Sequence, residues 1–264
     1  MMPAGLLPAL RWPRRNPPIT ARTGRLVPAL SILAVWQMLA SGLNSPRLPS
    51  PLAVLEMLVA ETLHGPLLHH LGVTLLRVAL CFLLAMTAGS ALGIAMGSSQ
   101  RLNRWLDPWL QLFLNMPAMV VAILVYVWLG LGEPAAILAV TLSKLPNVMV
   151  ILREGRRRHD RDLADMARAF RFPRKALLFD VLIPELAPFF LAAARSGLSL
   201  VWKIVLLVEL LGRSDGIGFQ LNVYFQMFDM TRILAYAASF MLAIQLVDVL
   251  LLSWVDRHVG RWQR

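Results

Sequence analysis

Apolar runs about as long as a membrane crossing alternate with short polar segments along this chain. A helix needs ~20 largely apolar residues to cross ~30 Å of hydrocarbon. Six stretches meet that requirement: 26–43, 71–97, 109–131, 135–152, 187–211 and 233–255. Lys144 and Pro146 interrupt the fourth. The first follows a basic lead of Arg11, Arg14, Arg15, Arg22 and Arg25 and ends near the small residues Ala40 to Gly42, as a cleaved signal peptide would. Its apolar run exceeds the ~7–15 residues of a signal core, so it reads as a span. The pattern predicts an all-α polytopic membrane protein of about six transmembrane helices.

Two polar segments carry patterns of their own. After Pro49 and Pro51, the spacing of Leu52, Leu55, Leu58 and Val59 predicts an amphipathic helix lying at the outer surface. Segment 153–184 is far longer than a connection between neighbouring helices requires, and it predicts two short helices. In the first, Leu163, Met166, Ala167 and Phe170 recur at helical spacing as one apolar stripe, with Arg161, Asp165 and Arg168 projecting elsewhere and Asp160 and Asp162 at its positive end. Pro173 opens the second, which runs to about Ile183. Such a stripe either docks into a groove of a soluble partner or folds back onto the protein or the lipid headgroups. Periodicity leaves both open.

Composition agrees with the pattern. The chain has 264 residues, 58% of them hydrophobic and only 16% charged, and its mean hydropathy is +0.63. The net charge of +11 does not mark a nucleic-acid binder, because the basic residues sit in short tracts between the apolar runs. With the N-terminus in the cytoplasm, the inner segments hold the five leading arginines, Arg101 and Arg104, the dense group from Arg153 to Lys175, and Arg257, Arg261 and Arg264. The outer segments hold Arg47, Arg213 and Arg232. The positive-inside rule then places both termini in the cytoplasm. The organisation expected is a basic cytoplasmic tail at 1–25, a transmembrane domain at 26–256 with a cytoplasmic loop at 153–184, and a short cytoplasmic tail at 257–264. The single cysteine, Cys81, permits neither an intrachain disulfide nor a cysteine-based metal site.

Within the spans, Gly89, Gly93 and Gly97 repeat at four-residue spacing with Ala85 before them, leaving one helix face bare for close backbone contact. Ionisable residues in hydrocarbon turn toward protein or water. Lys203 and Glu209 lie six residues apart in the fifth span, on different faces, so a direct salt bridge between them is not expected. Lys203 reads either as a cation lining a pathway for an anion or as an internally paired lysine. Glu209 lies near the outer end, and Asn115 beside Pro117 in the third span is a further pathway candidate, with Pro117 expected to bend its helix. Asp248 and Gln245 in the sixth span are of the same kind.

No G-x-x-x-x-G-K-[ST] or H-E-x-x-H run is present, so neither P-loop ATP binding nor zinc-dependent hydrolysis of that type is expected of this chain. His64, His69, His70, His159 and His258 are all expected outside the spans, with the adjacent His69 and His70 as surface residues near a membrane boundary. An ion-coupled secondary transporter is the alternative class. It commonly shows repeated halves, which are not evident here.

The run Asp165-Met166-Ala167, position 171, then Val181 and Ile183-Pro184 resembles the EAA loop of bacterial ABC-importer permeases, in spacing throughout. From Leu48 onward, Leu48-Pro49-Ser50-Pro51, Leu76-Arg77-Val78, Leu106-Asp107-Pro108, Met116-Pro117, Trp128 to Glu133, Ala194-Arg195-Ser196-Gly197, Trp202, Glu209 and Gly216-Ile217-Gly218 are similar to the nitrate, sulfonate and taurine branch. The resemblance implies two permease subunits, most simply a homodimer, two ATP-binding subunits and a periplasmic substrate-binding protein, with no cofactor on this chain. It implies that Leu163, Asp165, Met166, Ala167, Phe170, Arg171, Val181 and Pro184 form the ATPase-coupling loop. Asp165 and Met166 depart from the family's Glu and Ala, Arg171 replaces its glycine, and Ile123 stands where a second proline is common.

Overall fold

A computed structural model describes residues 20–43, 45–158 and 182–259. They form α1 (Thr20–Leu43), α2 (Pro51–Leu63), α3 (Leu67–Ser98), α4 (Gln100–Asn115), α5 (Ala118–Leu129), α6 (Glu133–Arg157), α7 (Ile183–Gly212), α8 (Ile217–Gln226) and α9 (Met230–Val259), with no strand among the described residues. The all-α expectation holds.

Helices α3, α6, α7 and α9 are long and apolar enough to cross a membrane, and α4 with α5 adds a fifth span if that bent pair counts as one. The third expected span is therefore not one straight helix. It breaks at Met116 and Pro117, and the two halves meet at 103°. A proline ring crowds the residue before it out of the helical region, and Met116 accordingly takes φ −79°, ψ 125°. Helix α1 covers the first expected span with 24 residues, Thr20–Leu43. Helix α1 begins at Thr20, inside the expected tail, and α9 continues to Val259. Pro146 does not break α6. A proline in a spanning helix is tolerated where neighbours and small local adjustments satisfy the freed carbonyl.

The chain divides into two compact units, 1–53 and 54–264. In the first, Trp36 Nε1 donates to the Pro49 carbonyl at 3.0 Å, tying α1 to the segment that follows it. In the second, α6 is the central helix. Half of its apolar window is buried, against 22% for α9. Its closest partner is α3, and the glycine repeat is the reason. A Cβ added at Gly89 would stand 2.8 Å from Val148 Cβ, at Gly93 2.6 Å from the Met149 carbonyl oxygen, and at Gly97 2.6 Å from Arg156 Cβ. The bare face thus lies against α6 of the same chain, where close approach supplies the dispersion contacts that hold helices together in lipid.

Helix α2 forms where proline and spacing place it, and most of its apolar stripe lies open. Leu55 and Val59 are exposed, while Val54 and Glu61 are buried. The Glu61 carboxylate accepts from Arg232 at 2.9 Å and from the Tyr236 hydroxyl at 3.0 Å on α9.

The expected coupling-loop residues Leu163, Asp165, Met166, Ala167, Phe170, Arg171 and Val181 lie outside the described residues, as do tail residues 1–19 and 260–264. The ends of that loop are visible. Helix α6 carries on to Arg157, a turn past the expected loop start, and α7 opens at Ile183 with Pro184 in its first turn. Proline suits that position because its missing N–H would have no intrahelical partner there.

Candidate functional site: the two faces of α7

Helix α7 carries two polar faces of different character. On one, Ser196, Ser199 and Lys203 follow helical spacing and are exposed. On the other, Trp202, Val205 and Glu209 are buried. The spacing of 196, 199 and 203 aligns these side chains along one stripe of a helix.

The buried face ends in a charge cluster centred on Arg77 of α3, which is 1% exposed. Its guanidinium donates to both carboxylate oxygens of Glu133 at 2.7 Å, to Asp215 Oδ1 at 3.0 Å, and to Glu209 Oε1. Glu209 is fully buried, and its other oxygen accepts from Thr74 at 3.0 Å and from the Gly218 N–H at 2.8 Å. Arg213 adds a second cation, 2.9 Å from Glu133. Four pieces of chain meet here: α3, the start of α6, the end of α7, and the loop that leads into α8.

That loop has little freedom. Gly216 sits at φ +103°, a conformation that side chains rarely adopt, and any Cβ there would overlap the Glu209 carboxylate. The Gly216 N–H donates to His70 Nδ1 at 3.1 Å, and the Ile217 N–H donates to Thr74 Oγ1 at 2.8 Å. His70 lies inside α3 and is 8% exposed. The expectation of a surface histidine outside the spans is corrected for His70: its ring serves as an acceptor for a backbone that would otherwise be unpaired.

Of the four pathway candidates, the structure leaves three on open faces. Lys203 is exposed on α7. Asn115 and Pro117 are exposed at the break between α4 and α5, where the Asn115 amide donates to the Gln111 carbonyl at 2.8 Å. Glu209 is placed elsewhere, with both oxygens taken by protein donors. The sequence reading missed Arg77 as its partner. Only the presence of an arginine in an apolar run could have signalled the cluster, since Arg77 and Glu209 lie 132 residues apart.

The comparisons fit this architecture. Residues 85–264 match the model of the family described as binding-protein-dependent transport system inner membrane component. The chain belongs to this family. The permease is similar to SsuC of Bacillus subtilis, named for aliphatic sulfonates transport, at 29% identity over 242 residues, which cover 91% of this chain and 87% of that protein. It is 30% identical over 204 residues to the nitrate import permease protein NrtB of a Synechocystis species, covering 73% and 74% of the two chains. It is 29% identical over 220 residues to the taurine transport system permease protein TauC of Escherichia coli, covering 80% and 78%. It is thus a multi-pass permease component of an ABC importer, and the secondary-transporter alternative gives way to that membership.

Proposed function

We propose that this permease forms the translocation pathway for a small anion such as a sulfonate, taurine or nitrate, with the exposed stripe Ser196, Ser199 and Lys203 of α7 lining it. Asn115 and Pro117 join the lining at the bend between α4 and α5. The observation that carries the reading is an exposed lysine on a helix otherwise apolar enough to span a membrane. An ammonium facing hydrocarbon costs about 2.5–3.5 kcal/mol on insertion scales, so this face meets water or another subunit. A water-filled space between two copies of the permease meets both conditions and offers the anion a cationic wall. The names of the three relatives, given for aliphatic sulfonates, nitrate and taurine, support a substrate that carries a sulfonate or nitrate group.

In this reading both termini are cytoplasmic, a periplasmic binding protein delivers the anion, and two ATP-binding subunits drive the cycle. They bear on the 153–184 loop through Leu163, Asp165, Met166, Ala167 and Phe170. Closure of those subunits on ATP moves the loop. The loop and Pro184, at the start of α7, re-angle the spans and open the pathway outward, and hydrolysis resets it.

The test is uptake of taurine, nitrate and methanesulfonate by proteoliposomes holding the complete transporter. Lys203→Met is expected to cut uptake at least about tenfold, the effect of ~1.4 kcal/mol on a barrier, with Lys203→Arg retaining most of it. Unchanged uptake in Lys203→Met would remove Lys203 from the pathway.

A further inference from the structure

Three cations with buried positions stand among the described residues: Arg77, Lys144 and Arg153. Two are neutralised by carboxylates. Arg77 meets Glu133, Glu209 and Asp215, and Arg153 meets Asp107 and, at 3.1 Å, Glu154. Lys144 of α6 is the exception. It is 1% exposed, and its ammonium has a single hydrogen bond among the described residues, to Asn147 Oδ1 at 2.7 Å. A buried ammonium with one neutral acceptor keeps two N–H groups and a full charge uncompensated, a costly arrangement in a spanning helix.

The surroundings of Lys144 are arranged around donors. Its side chain crosses Gly197 of α7, where an added Cβ would lie 3.0 Å from Lys144 Cε, so the glycine makes room for it. Ser196, beside that glycine on the exposed stripe, reaches the same Asn147 oxygen at 3.4 Å. Because Asn147 turns its oxygen to Lys144, its amide N–H groups point away from the lysine, and Asn147 itself is only half buried. Lysine ammonium and serine hydroxyl therefore meet at the Asn147 oxygen, with no carboxylate among the three residues.

We infer that Lys144, Asn147 and Ser196 form a second anion station on the pathway, about two helical turns along α7 from Lys203, at which a small oxyanion takes a hydrogen bond from the Asn147 amide, draws the Ser196 hydroxyl away from the Asn147 oxygen to itself, and offsets the charge of Lys144. This rests on the pathway reading above and adds to it a site on the opposing helix α6. Seven residues separate Ser196 from Lys203, roughly 10 Å at 1.5 Å rise per residue. Two weak cationic stations at that spacing let an anion be handed on without being trapped, which conduction requires.

The experiment is thermal unfolding of the detergent-purified full chain with sodium methanesulfonate, against its uncharged counterpart dimethyl sulfone at matched ionic strength. The native chain is expected to be stabilised by methanesulfonate and not by the sulfone. Lys144→Met, an apolar replacement of similar length, abolishes the shift, and Lys144→Arg retains it. Asn147→Asp supplies Lys144 with an internal counter-charge and also abolishes the shift while raising the melting temperature without ligand. Retention of the shift in both Lys144→Met and Asn147→Asp overturns the inference, as does its absence from the native chain. Loss in Lys203→Met with retention in Lys144→Met leaves the pathway reading standing and removes this station. Loss in Lys144→Met with retention in Lys203→Met keeps the station and counts against Lys203.

Discussion

Arg77 and Glu209 show what a buried ion pair contributes in this permease. Neither is tolerable alone: Glu209 has no exposure and Arg77 has 1%. Removing one partner from such a pair leaves an uncompensated charge and costs about 3–5 kcal/mol, whereas replacing both with apolar residues is often neutral. Arg77→Leu is therefore expected to destabilise the protein by roughly that amount in unfolding experiments in detergent. The double variant Arg77→Leu with Glu209→Leu should recover much of the loss. Recovery will be incomplete, because Thr74 and the Gly218 N–H lose their acceptor. A double variant as unstable as Arg77→Leu would show that the cluster acts through its hydrogen bonds to the loop rather than through charge balance.

At the scale of elements, the seam between α3 and α6 is the joint on which the rest hangs, and it is made by missing side chains. At Gly93 a methyl group would press on the Met149 carbonyl oxygen, an atom of the backbone that cannot rotate away. Gly93→Ala should push the helices apart and cost about 1–3 kcal/mol by overpacking, read as a lowered melting temperature of the purified chain. Gly72 has open space around it, so Gly72→Ala on the same helix serves as the control and should be harmless or slightly stabilising. Equal effects at both positions would mean that helix propensity, not the seam, decides. The bend at Met116 and Pro117 belongs to the same scale. It exposes Asn115 and divides one apolar run into two short helices, a division that hydropathy alone does not report.

For the whole molecule, the central expectation is mechanical: force enters through the 153–184 loop and leaves through α6 and α7, which flank it. Helix α6 is the most buried span and α7 carries both the proposed anion face and the Arg77 cluster, so a displacement at the ends that flank the loop is expected to reach both. Co-purification with the ATP-binding subunit tests the entry point. Met166→Arg places a charge on the apolar stripe and should abolish retention of that subunit, while Arg171→Gly should leave assembly intact. Failure of the native chain to retain it would sink the docking assignment, and loss in Arg171→Gly would make Arg171 part of the interface.

Much of this was legible in order along the chain. Helical class, four of the spans, the packing role of the glycine repeat, the bend at Pro117 and the family itself follow from hydropathy, spacing and short motifs, because each depends on residues within a few turns of one another. The tertiary structure alone decided which faces are buried and which charges meet. Arg77 joins Glu133, Glu209 and Asp215, and Glu61 joins Arg232 and Tyr236, across more than fifty residues of chain in every case. It also placed His70 inside α3, and it left Lys144 buried without a counter-charge among the described residues. Hydropathy records the cost of placing a charge in a span, but only the packing of one helix on another decides what offsets that cost.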